Sequence, residues 1–354
     1  MKAANSKLLG IDFCYWISLT GTLIYTYAIC FDPKLIYFLS HHKYSFCLDF
    51  FPAFFLFING FAVSLSLRNH KVSSRKIMSF LRKRGFIIGL IGLLFVGIWP
   101  MNLLFFCGII YLFGSLVAQW NNNTLFIVIM VLLAASMALL YAGSTHHITY
   151  KNFSFDKGVY SIIGFVFFNG YFSFLPWIVF FLAGLLFGRE DVRPRGFFPP
   201  SSIFAMVLMF IAWPLNRYAS LYDSDFNIYA RIEPFFLNSK LNIGAFVFLA
   251  VGLAVVLMNI INYVFRRGTI KWLDNFIQDI VSVKYSVIFL HTLIGAIVLR
   301  ITNSVMFADF GVKLIFVIAI IPLIYTLLYY WKLKVNKVGP IELLIKKFSD
   351  SNNK

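Results

Sequence analysis

Leu48-Asp49-Phe50-Phe51-Pro52-Ala53-Phe54-Phe55-Leu56-Phe57-Ile58-Asn59-Gly60-Phe61-Ala62-Val63-Ser64-Leu65-Ser66 decides the fold of this chain. After one acid at its edge it runs without a charge for the roughly 20 residues a helix needs to cross a lipid core about 30 Å thick. Pro52 falls early, where a helix has no use for the missing N–H. Asn59, Gly60 and Ser64 are the small or polar residue types that let helices approach closely inside lipid. The rest of the chain follows the same pattern. Of 354 residues, 60% are hydrophobic and 13% charged, and mean hydropathy is +0.82. Ordinary soluble domains carry about 25% charged residues, so there is too little polar surface here to coat a water-soluble body. The same composition excludes disorder, collagen, coiled coil and a small disulfide scaffold.

Further apolar runs fall near 9–30, 85–99, 102–120, 124–142, 173–188, 201–216, 242–262, 282–302 and 312–331. Together with 48–67 they predict an all-α fold, a polytopic transmembrane helix bundle of about ten spans. Run 85–99 is short and breaks at Pro100, so it is tilted or shares a hairpin with the next. The glycine-broken segment 158–171 reads as a re-entrant piece or an eleventh span. Residues 1–338 form one transmembrane domain and 339–354 a short polar cytoplasmic tail.

The connection 68–84 holds Arg68, Lys71, Arg75, Lys76, Arg82, Lys83 and Arg84 with no acid, which marks it as cytoplasmic. Counting outward from it puts both termini on the same side. The net charge of +17, from 31 Lys and Arg against 14 Asp and Glu, is thereby a matter of orientation, and no nucleic-acid partner is expected. The lipid bilayer is the expected partner, and a homodimer is compatible with such a bundle. Cys30 and Cys47 flank one loop and would pair only in an oxidising compartment. No His or Cys spacing suits a metal.

At residues 48–66 the chain resembles the "aDlvFPfFlFivGvs" signature of heparan-alpha-glucosaminide N-acetyltransferase-like membrane proteins, whose bacterial relatives include the YeiB-like membrane acyltransferases. SFLRKRGFIIGLIGLL (79–94), FFCGIIYLFGSLVA (105–118) and FSFLPWIVFFLAGLLFGR (172–189) are similar to further elements of that family in the same order, and KYSVIFLH (284–291) is a fainter echo of a late helix. The resemblance implies an acyltransferase that moves an acetyl group from cytosolic acetyl-CoA to an extracytoplasmic saccharide or cell-envelope acceptor. It places an active histidine upstream of Asp49, a role for His42 or His41. The family's first helix reads Leu-Asp-x-x-Arg-Gly, where this chain has Ile11-Asp12 and then Tyr15-Trp16. The lost Arg leaves a catalytically silent member as one reading, and a transporter or flippase of an envelope precursor is another.

The chemistry of the residues agrees with transfer. Attack on a thioester needs a base near neutral pH, which His supplies, and a carboxylate can orient the ring and stabilise its cation. Thus His42 or His41 is the expected base and Asp49 its orienter, unless the histidine carries the acetyl group itself. Arg75, Arg82, Lys83 and Arg84 are candidate ligands for the coenzyme A phosphates, or an anchor on anionic lipid. Asp12, near the inner end of the first span, is expected to pair with Arg82 or Arg84 or to reach the interface. Asn59 and His291 are further polar groups inside spans, the latter a proton-handling residue or a hydrogen-bonded structural one.

Overall fold

The computed structural model describes residues 2–31, 45–68, 73–96, 99, 102–143, 174–189, 200–222, 242–267, 271–301 and 310–350. All regular structure among them is α-helical: α1 (Lys2–Phe31), α2 (Ser45–Arg68), α3 (Ser74–Leu93), α4 (Leu103–Val117), α5 (Asn122–Gly143), α6 (Phe174–Phe187), α7 (Pro200–Tyr222), α8 (Asn242–Arg267), α9 (Lys271–Val281), α10 (Lys284–Ile301), α11 (Phe310–Lys334) and α12 (Pro340–Asp350). Every apolar run of the sequence coincides with one of α1–α8, α10 or α11. By length and apolarity, two of the described helices can cross a membrane, over Asp49–Arg68 and Gly244–Phe265. A third span results if α9 and α10, which meet at a 66° bend, count as one. The expected total of about ten is therefore not established by helix length. His41, His42 and the segment 158–171 lie outside the described residues.

Two expectations change. The basic stretch 68–84 is not a loop throughout, because α3 begins at Ser74 and carries Arg75, Lys76, Arg82, Lys83 and Arg84. No Gly or Pro interrupts 74–84, its residues are mostly good helix formers, and Met78 and Leu81 give it a buried side. The stretch read as a polar tail contains α12, an amphipathic helix with Ile341 and Ile345 buried.

Helix α1 is the axis of the bundle and packs on α2, α8, α9, α10 and α11. Close approach elsewhere is set by glycine. A Cβ on Gly60 would strike the Phe181 carbonyl oxygen, and one on Gly184 would strike the Phe57 carbonyl oxygen. α2 and α6 therefore interlock reciprocally, backbone against backbone. In the α3–α4 hairpin, Gly85 meets Leu112, Gly89 meets Gly108 and Gly92 meets Phe105, an antiparallel register. Asn102 closes that hairpin from a fully buried position. Its Oδ1 accepts from Phe105 N at 3.2 Å, capping α4, while its Nδ2 donates to the Gly92 carbonyl at the end of α3. One amide thus serves two helix ends that would otherwise be unsatisfied.

The bundle exposes apolar faces and buries polar groups within an otherwise apolar interior. Phe86, Leu90, Phe126, Ile127, Val131, Phe204, Val207, Phe210, Leu323 and Leu327 are exposed on α3, α5, α7 and α11. Asp49, Asn59, Asn102, Asn259, Asn262, His291 and a set of Ser and Thr residues are buried. Apolar faces this extensive suit lipid rather than water.

The glycine contacts give a direct test. Gly60→Ala and Gly184→Ala each force a backbone shift and are expected to destabilise by about 1–3 kcal/mol. At Gly89 the nearest atoms to a new Cβ lie at 3.6 and 3.9 Å, so Gly89→Ala is expected to be neutral or to stabilise by up to about 1 kcal/mol through helix propensity. Denaturation of the purified variants in mixed micelles reads both.

Candidate functional site

Five helices contribute one polar side chain each to a buried network: Tyr15 from α1, Asn59 from α2, Arg84 from α3, Tyr111 from α4 and Tyr285 from α10. Asn59 Oδ1 accepts from the hydroxyls of both Tyr15 and Tyr111, and its Nδ2 donates to the Phe55 carbonyl at 2.7 Å. Tyr111 and Tyr285 oxygens are 2.7 Å apart, and Arg84 donates to the Tyr285 hydroxyl. Each hydroxyl has one proton, which fixes the direction of the chain. Tyr111 gives its proton to Asn59, so Tyr285 must donate to Tyr111, and Tyr285 in turn accepts from Arg84. A chain of donors thus runs from a guanidinium to an amide oxygen.

Two cations border this network. The Arg84 guanidinium lies over the rings of Tyr285 (4.3 Å), Tyr111 (4.9 Å) and Phe80 (5.8 Å). Lys284 Nζ sits 3.7 Å from the centre of the Tyr15 ring. Aromatic faces attract cations electrostatically, but they do not neutralise them. Among the described residues neither Arg84 nor Lys284 makes an ion pair. The two repel one another, and Lys284 feels Asp12 and Glu342 at longer range. Asp12 is thus associated with Lys284 rather than with the arginines of α3.

Glu342 on α12 fixes the start of α10 below the site. Its Oε1 accepts from the backbone N–H of Tyr285 (2.6 Å) and Ser286 (3.3 Å), and its Oε2 from the Ser286 hydroxyl. Ser286 Oγ accepts in turn from Ile341 N at 3.1 Å. The carboxylate also meets the positive end of the α10 dipole. Burial raises the Glu342 carboxyl above its ordinary value, opposed by these hydrogen bonds.

Several links gather basic residues and helix ends at this end of the bundle. Arg189 donates to the Ala118 carbonyl (2.7 Å), to Asn122 Oδ1 (2.9 Å) and to the Trp120 carbonyl, tying α6 to the α4–α5 turn. Arg68 reaches the Gly188 carbonyl at 3.5 Å. Lys332 Nζ lies 2.5 Å from Asp279 and 3.0 Å from Ser282 Oγ.

No protein-family model matches the chain, and neither a curated protein nor a solved structure matches it.

Of the residues singled out in the sequence, Asn59 and Arg84 enter the network directly. Arg75 and Arg82 are exposed and Lys83 half-buried on other faces of α3, so the four basic candidates do not form one cluster. Asp49 is buried toward the opposite end and accepts a hydrogen bond from Tyr25. His291 is also buried there, with Nε2 2.7 Å from Thr26 Oγ1. Tyr25 and Thr26 are consecutive on α1, which brings the carboxyl and the imidazole to one level of the bundle. Tyr15, Tyr111, Lys284, Tyr285, Ser286 and Glu342 were not picked out as site residues. A signal was present: in a chain with 43 Phe and 18 Tyr, a tyrosine inside an apolar run marks a hydroxyl that needs a partner.

Two outcomes test the network. Asn59→Leu strips acceptors from two buried hydroxyls and is expected to destabilise by about 2–6 kcal/mol, from about 1–3 kcal/mol for each unsatisfied group. At Glu342 the folded-state pKa is raised, so its contribution favours the fold below the ordinary glutamate pKa and is lost as pH climbs through the raised value. Relative to Glu342→Gln, the wild type is therefore expected to gain stability as pH falls from neutral, read by thermal melts of both proteins across that window.

Proposed function

We propose that the chain is a polytopic membrane acyltransferase of about ten spans, related to the heparan-alpha-glucosaminide N-acetyltransferase-like and YeiB-like proteins, with both termini cytoplasmic. It would take an acetyl group from cytosolic acetyl-CoA and deliver it to an extracytoplasmic saccharide or cell-envelope acceptor. The observation that carries this reading is the pair Arg84 and Lys284: two cations held close, without a carboxylate in ion-pair contact among the described residues, at the end of the bundle where basic residues gather. Like charges brought together and partly shielded from water are costly unless an anion completes them, and a phosphate-rich donor would supply that anion.

The sequence resemblance expects an arginine at position 15. Tyr15 stands there instead, and the Lys284 ammonium covers its ring, so α10 supplies at that place the positive charge that α1 lacks. This argues against reading the substitution as loss of activity. Asp49, with Tyr25, marks the acceptor end of the bundle, and His42 and His41 stand shortly upstream of it in the chain. A transporter of this size would call for broken helices at paired positions, and the described residues hold one bent pair, α9–α10.

The test is equilibrium binding of radiolabelled acetyl-CoA to the purified protein. Arg84→Ala and Lys284→Met are each expected to weaken it about tenfold or more, the worth of a charge-assisted hydrogen bond. Arg75→Ala and Arg82→Ala, on the exposed faces of α3, are expected to change it by less than about threefold. Binding that ignores both interior cations, or no binding at all, overturns the reading.

A further inference from the structure

Among the buried side-chain atoms of the described residues that lack a hydrogen-bond partner, His291 Nδ1 is the imidazole nitrogen. His291 is 2% exposed, in the middle of α10. Its Nε2 meets Thr26 Oγ1 at 2.7 Å, while its Nδ1 has no hydrogen-bond partner among the described residues. Thr26 Oγ1 also donates to the Leu23 carbonyl at 3.0 Å. With the hydroxyl proton engaged there, Thr26 can only accept from the ring, which puts the imidazole proton on Nε2 and leaves Nδ1 as a bare lone pair. The ring is held from several sides. Tyr27 Oη donates to the His291 carbonyl at 3.0 Å, the Tyr27 ring stands edge-on at 4.2 Å, and Trp99 stands nearly perpendicular at 5.6 Å. A buried nitrogen without a partner is expensive to keep for packing alone.

Its placement relative to the cation site is also ordered. On α1, Asp12, Tyr15, Ser18, Thr22 and Thr26 recur at three- and four-residue spacing and share one face. Ser18, Thr22 and Thr26 are fully buried, and each hydroxyl donates back to its own helix, through the Tyr15 carbonyl at 3.0 Å, the Ser18 carbonyl at 2.6 Å and the Leu23 carbonyl. On α10, Lys284 and His291 are two turns apart and share a face as well. The polar sides of α1 and α10 therefore join the cations at one level to the imidazole at the other, about 16 Å apart along α1. The titratable group that faces His291 is Tyr27 on α1, while Asp49 on α2 bonds Tyr25 at the same level of the bundle. No charged side chain lies against the ring among the described residues.

We propose that His291 is the proton acceptor of acyl transfer, with Thr26 as its positioning residue. This rests on the acyltransferase reading. As the acceptor's oxygen or nitrogen bonds to the thioester carbonyl carbon, its proton passes to Nδ1. The carbon–sulfur bond breaks with its electron pair leaving on sulfur, and the imidazolium returns the proton to the thiolate. Thioester and acceptor become acyl product and free thiol, and the ring ends neutral. Throughout, the Nε2–H to Thr26 bond holds the ring in one orientation.

Diethyl pyrocarbonate acylates unprotonated imidazole nitrogen, so labelling of the full-length protein mapped by peptide mass spectrometry, with and without acetyl-CoA, tests the assignment without a mutation. Label on His291 in the folded protein, suppressed by bound acetyl-CoA, is the expected result. A His291 that reacts only after denaturation, or that reacts equally whether or not acetyl-CoA is bound, overturns the assignment. Acetyl-CoA binding is read separately, so its absence overturns the acyltransferase reading itself and this assignment with it. In a second measurement, thiol release from acetyl-CoA with water as acceptor should fall about 100-fold in His291→Gly and recover in part on adding imidazole, which a purely structural histidine would not allow. Thr26→Val should alter the pH at which release sets in, rather than abolish it.

Discussion

A buried hydroxyl or amide in this bundle has no water to turn to, and that constraint organises the interior. An unsatisfied polar group in an apolar medium costs several kcal/mol, so each one recruits a partner from another helix. Asn59 shows the consequence most clearly. One amide oxygen on α2 receives hydroxyls from α1 and α4, and through Tyr111 and Tyr285 the linkage extends to α10 and the Arg84 guanidinium of α3. Helices far apart in sequence are brought into one register by hydrogen-bond count rather than by apolar contact, which distinguishes poorly between neighbours when the surroundings are as apolar as the helices.

Glycine and aromatic packing supply what hydrogen bonding does not. The reciprocal seating of Gly60 and Gly184 against carbonyl oxygens of the facing helix brings α2 and α6 as close as two backbones can lie. Around that seam Phe54, Phe55, Phe57, Phe61, Phe180 and Phe181 fill the space with rigid rings. The polar network and the aromatic seam share α2: Asn59 serves one and Gly60 the other. Adjacent residues on a helix point about 100° apart, so a single dipeptide faces two different partners.

Most of the helices were legible in the sequence because long apolar runs poor in charge admit few alternatives. The break at Pro100 left a tilted helix and a hairpin as alternatives, of which α3–α4 adopts the hairpin, and Asn59 and Arg84 stood out as polar residues in or beside apolar segments. Other features were hidden by the kind of signal they give. Run 74–84 looked like a loop because charge dominates its composition, yet Ile77, Met78 and Leu81 form a helical stripe within it. Lys284 and Tyr285 belong to the apolar run 282–302, and nothing local shows that they meet Tyr15 and Tyr111 from distant helices. Glu342 was read as part of a polar tail for the same reason: its partners, Tyr285 and Ser286, are more than fifty positions earlier. Pairings across that separation follow from topology, which local spacing does not encode.

The reciprocal cap between Glu342 and Ser286 has a bearing on biosynthesis. The chain is made from its amino end, so α10 leaves the ribosome well before α12 does. Until α12 arrives, the first amides of α10 have only water or lipid headgroups to bond with, and the neighbouring tyrosine and lysine are free to shift. Assembly of the cation cluster therefore has to be a late event, completed after the preceding helices are already in place.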